Sequence, residues 1–127
     1  MEKAGYFGVI ILESLTDLSI MGEVEVLRES DIKAPPGDPY PVWSRRLVRI
    51  EAEKMIPFAR KLASLMKEDF YNHFVDEKKL VVVFKDRYFL LDKHDQSSWG
   101  EMIAYGETVR VGKQWTTRIP VEKEKLL

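Results

Sequence analysis

Two short stretches of this chain hold most of the side chains able to move a proton or grip an ion. The first is Asp92-Lys93-His94-Asp95-Gln96-Ser97-Ser98, between an apolar run and a helical pattern. Histidine is the side chain suited to moving a proton in neutral solution, so His94 is the candidate acid or base, and Asp92 or Asp95 would orient its ring. The backbone N–H groups opening the next helix, around Ser97 and Ser98, would hold an anion. Arg110 or Lys113, in the link beyond that helix, would clamp it. His94 and Asp92 are therefore the candidate catalytic pair. Asp95, Ser97, Ser98, Arg110 and Lys113 are candidate ligand-binding residues. A plainer account uses the same residues: a serine caps the helix, Asp95 complements its dipole, and His94 is solvated. It explains more of the residue types without a ligand and is preferred.

The second stretch is Tyr71-Asn72-His73-Phe74. Tyr71 and His73 are candidate ligand residues lining a cleft. The plainer reading makes His73 a helix-end residue facing the last carbonyls. Tyr40 and Trp43 follow a proline-rich stretch and form a candidate interaction patch, or a lid packed on its own fold. Trp99 and Trp115 fall on apolar faces by period and read as core. Arg45, Arg49, Lys79 and Arg118 are placed on an open sheet face, as in single-strand RNA readers.

Several chemistries lack their residues. Two histidines, no cysteine and no HxH or HExxH spacing give no expectation of a metal. No GxGxxG, phosphate loop or GxSxG occurs, so no cofactor and no serine triad are expected.

The elements that must position these residues are read from periodicity. Residues 6–12 form a strand apolar on both faces. Residues 20–28 alternate and are expected to pair with it as a hairpin. Four prolines between residues 35 and 41 make a stiff loop. Residues 45–51 form a strand. Met55, Ala59, Leu62, Met66, Phe70 and Phe74 draw one stripe of a helix running from about 54 to 74. Residues 80–84 and 88–91 form a hairpin around Lys85-Asp86-Arg87. Ser98 and Glu101 resemble a capping box that starts a second helix, with Gly106 as its stop. Residues 115–121 alternate as a last strand. The expected class is α+β: from residue 45 the order is ferredoxin-like βαββαβ, with two helices on one sheet face and an N-terminal hairpin before it.

The chain has 127 residues, 45% hydrophobic and 32% charged, which excludes wholesale disorder and fits one domain. Its parts would be a hairpin at 1–33, the proline loop at 34–43, the βαββαβ unit at 44–121 and a tail at 122–127. A formal charge of -1 gives no bulk pull toward nucleic acid, so nucleic acid is not an expected partner. The first apolar run is too short to span a bilayer, and residues 1–5 do not resemble a signal peptide. A cytoplasmic setting is expected, and the scarcity of amide and thiol side chains leans toward a thermophilic source. The functional expectation is a non-catalytic binding or homo-oligomeric assembly module. The alternatives are an enzyme or sensor for a small anionic metabolite at His94, and RNA binding through the sheet.

Overall fold

The computed structural model describes residues 5–127; residues 1–4, which include most of the leader judged for a signal peptide, lie outside them. The strands β1 (Gly5–Ile11), β2 (Glu25–Lys33), β3 (Val42–Glu51), β4 (Asn72–Val75), β5 (Lys79–Phe84) and β6 (Arg87–Asp92) form one sheet. Its order is β2-β3-β1-β4-β5-β6, and every neighbouring pair is antiparallel. The helices are α1 (Met55–Ser64), α2 (Gly100–Thr108) and the single turn α3 (Lys113–Thr116). The α+β class therefore holds. No helix among the described residues is long and apolar enough to cross a membrane.

β5 explains how the layers are built. Val81 and Val83 enter one apolar cluster with Met55, Phe58 and Leu62 of α1. Leu80, Val82 and Phe84 enter the other with Trp99, Met102 of α2, Val111 and Ile119. A strand covered on both faces needs an unbroken apolar run, and residues 80–84 supply one. Two helices stacked on one face is thus corrected: α1 and α2 lie on opposite faces.

Four further expectations are corrected. The N-terminal hairpin does not form, since β1 pairs with β3 and β4. Residues 18–23 form a 3-10 turn that buries Ile20, so β2 begins at Glu25 and pairs only with β3, across the proline loop. The long helix stops at Ser64. Asp69 takes a left-handed backbone (φ 76°), and residues 72–75 become the strand β4. Phe70 and Phe74 share a face at a spacing of four, which is an even number and so fits a strand as well as a helix. The last strand is also absent. Lys113–Thr116 is helical, and Pro120 denies the following segment a ladder N–H. The βαββαβ order from residue 45 is therefore not formed, because the chain runs β3-α1-β4-β5-β6-α2-α3.

The start and stop of α2 differ as well. Asp95 caps a 3-10 turn (Gln96–Trp99) by accepting the Ser97 N–H, and the helix proper opens at Gly100. Gly106 lies within the helix rather than at its stop. A Cβ there would lie 3.2 Å from Thr116 and 3.3 Å from Phe84, so the glycine lets α2 approach β5 and α3.

Candidate functional site

α2 and α3 cover the β4–β6 half of their sheet face and leave a cleft of about 500 Å³ over the other half. Its floor follows from strand register. Trp43 and Arg45 are two residues apart on β3 and share a face. Arg45 lies opposite Ile11, and Val9 lies opposite His73. Ile11, Arg45, Val9 and His73 therefore face the same side. Tyr71, Arg110, Trp115, Pro120 and the proline loop form the walls. Gly8 holds β4 close to β1, since a Cβ there would stand 2.2 Å from the Phe74 ring and 2.3 Å from the His73 carbonyl.

The cleft is aromatic and under-satisfied. The Trp43 ring meets Trp115 edge-on at 6.3 Å and Phe70 at 6.5 Å. The Tyr71 and His73 rings are 5.8 Å apart. Trp43 Nε1, Arg45 Nε and His73 Nε2 are buried without a hydrogen-bond partner. Arg45 Nη2 donates to Ser30 Oγ at 2.9 Å, and Arg45 forms no ion pair with a described residue. Burial pushes His73 down to about 4, partly opposed by a hydrogen bond to the Pro120 backbone. Proline has no N–H, so its carbonyl must accept, and the ring nitrogen engaged there carries the proton. His73 is then neutral at pH 7, and its Nε2 meets no partner. Burial also pushes the Tyr71 hydroxyl up to about 12.

The two carboxylates that line the cleft, Asp38 and Asp69, stand on loops. Asp38 accepts the Tyr40 N–H at 2.9 Å, and Asp69 is exposed. Arg110, also left-handed (φ 68°), faces Glu68 at 3.9 Å.

The sequence candidates are divided between two places. Tyr71, His73, Arg110 and Trp43 meet in the cleft. His94 is exposed and lines a separate hollow of about 820 Å³ among residues of both charges, including Lys78, Glu122 and Glu124. The two histidines do not share a pocket. Around His94 the polar groups serve turns and caps. Asp92 Oδ1 accepts the His94 N–H at 2.9 Å, Asp95 accepts the Ser97 N–H at 3.1 Å, and Ser98 Oγ donates to the Asp95 carbonyl at 2.7 Å. Lys113 faces Glu107 at 3.7 Å. Tyr40 packs on Phe70 at 5.8 Å and takes a hydrogen bond from Lys67 at 3.0 Å, which is the lid-like arrangement.

Trp99 is core, 1% exposed, as its period indicated. Trp115 is 44% exposed and walls the cleft, so its reading as core is corrected. The helix α3 turns it outward, whereas a strand would have carried it inward. Arg45, read from the sequence as part of an open sheet face, had no candidate role in a pocket. Its signal was its place two residues from Trp43 in an alternating strand.

The chain matches no known protein-family model, and no curated protein or solved structure matches it.

Proposed function

We propose that this protein is a non-catalytic binding module that holds a small ligand with a planar aromatic portion in the cleft walled by Trp43, Tyr71 and Trp115. One observation supports the reading: of the four buried side-chain atoms without partners among the described residues, three belong to residues of this single cleft, the fourth being Thr116 Oγ1. Buried polar atoms are ordinarily satisfied, so a cluster of exceptions calls for a missing partner. Apolar walls with a few convergent polar groups are the usual make-up of a ligand site. Binding is favoured over catalysis because His73 has no side chain hydrogen-bonded to Nε2 that it could activate or be oriented by.

Thermal melting with 2-naphthol and 2-naphthoate tests it. The melting temperature should rise saturably with at least one probe, and Trp115→Ala should abolish the rise. No rise, or a rise kept in Trp115→Ala, would overturn the reading.

Self-association through β2 is a second reading, favoured by its position at the sheet edge with Val26 42% and Leu27 44% exposed. The register shift between Val26 and Arg28, and the charges along the strand, blunt that edge, so this reading ranks second. Light scattering that finds only monomer at high concentration would remove it.

A further inference from the structure

We infer that the cleft's ligand is an aromatic carboxylate about two fused rings long, with its carboxylate on Arg45 and Trp43 and a hydrogen-bond donor at its far end on His73. The inference rests on the binding reading above and deepens it. Trp43 Nε1 and Arg45 Nε can only donate, so whatever completes them must accept. Arg45 also carries a fixed positive charge, and no carboxylate of the described residues lies within ion-pair distance of it. A half-buried guanidinium with two unmet donors nearby calls for an anion rather than a neutral carbonyl. Trp43 and Arg45 are neighbours on one face of β3, about 7 Å apart along the strand, so both can reach one group.

The opposite end differs in kind. His73 is 6% exposed, and its Nε2 is buried without a partner. In the proposed complex the ring proton sits on Nδ1, so that Nε2 accepts an O–H or N–H from the ligand. His73 is level with Leu47 of β3 through Val9, so it stands two strands and two residues away from Arg45, about 12 Å between backbones. A single ring is too short for that span, whereas a fused bicycle reaches it. Trp43 and Trp115 wall the Arg45 end of the cleft, and Tyr71 stands beside His73 at the other. The rim carboxylates do not occupy the anion position: neither Asp38, which accepts the Tyr40 N–H, nor the exposed Asp69 forms an ion pair with Arg45.

The experiment is calorimetric titration of the full chain with 6-hydroxy-2-naphthoate, 2-naphthoate, 2-naphthol and 2-naphthylmethylammonium, with 4-hydroxybenzoate as the single-ring control. The hydroxynaphthoate should bind tightest. Loss of its hydroxyl, its carboxylate or its second ring should each weaken binding about tenfold. Arg45→Gln should erase the preference for carboxylates and leave 2-naphthol binding unchanged. Trp43→Phe, which keeps the ring and loses the N–H, should weaken the carboxylates alone and covers the case that Arg45→Gln fails to fold. If 2-naphthol or the ammonium probe binds as tightly as the hydroxynaphthoate, this inference is overturned and the binding reading survives. If no probe binds saturably, both fall.

Discussion

Asn72 and His73 are neighbours on β4 and face opposite sides of the sheet, and the two sides treat buried polar atoms differently. On the α1 side Asn72 is fully engaged. Its Oδ1 accepts the Ile11 N–H at 2.9 Å, and its Nδ2 donates to Ser14 Oγ at 3.0 Å. Ser14 in turn donates to the Ile11 carbonyl at 2.6 Å. On the cleft side Trp43, Arg45 and His73 each keep one buried nitrogen without a partner. One face is a closed network that fixes β1 against β4. The other carries a deficit that folding alone does not repair. Thr116 Oγ1, under α2, is the one further buried side-chain atom without a partner among the described residues, so the deficit is concentrated at the cleft, where the proposed ligand would meet it.

Substitutions can break or sharpen that contrast. Asn72→Ala should have the largest effect, about 4 kcal/mol of lost stability in urea unfolding, because it leaves the buried Ile11 N–H unpaired and opens a hole in a closed core. Ligand binding by the folded fraction should survive.

Acid should act through the other face. The His73 pKa is lowered to about 4 in the folded protein, against about 6.5 in the unfolded chain. Between these values the unfolded state binds the extra proton, so stability falls as pH drops from about 6.5 to 4 and the contribution is fully lost below 4. The loss should reach about 3 kcal/mol at roughly 1.4 kcal/mol per pH unit, read from unfolding curves across that range. His73→Phe should flatten this dependence. At pH 7 the same variant should change stability by no more than about 1 kcal/mol, since it removes an unmet acceptor along with one hydrogen bond. The smallest effect belongs to Trp43→Phe, under about 1 kcal/mol in stability despite its weaker hold on carboxylates. A cost near that of Asn72→Ala would mean that the indole N–H is already satisfied and would erase the contrast.

Local parts of the fold were legible in the sequence. The β5–β6 hairpin could be read from two apolar runs around Lys85-Asp86-Arg87, and Asp86 fills the left-handed turn position in place of glycine (φ 69°). The stripe ending in Phe70 and Phe74 was ambiguous because a spacing of four satisfies both periods. Tertiary pairing of β4 between β1 and β5 decided it. Trp115 alternated with Thr117 and Ile119 as a strand would, yet Pro120 left that segment without a partner strand.

The cleft was legible only in pieces. Tyr71, His73, Arg110 and Trp43 each stood out by type. Nothing local could bring them together, since they arrive from β3, β4 and the α2–α3 link. That meeting depends on β3 inserting between β2 and β1, a long-range choice made after residues 18–23 turn away from β1.

The central claim is that the unmet groups of the cleft face receive a ligand, and the indole N–H signals of the three tryptophans test it most directly. In a nitrogen-15 proton correlation spectrum with added 6-hydroxy-2-naphthoate, the Trp43 and Trp115 indole signals should move together while that of the core residue Trp99 stays fixed. Movement of Trp99 alone, or an unmoved Trp43 signal at saturating probe, would contradict the account.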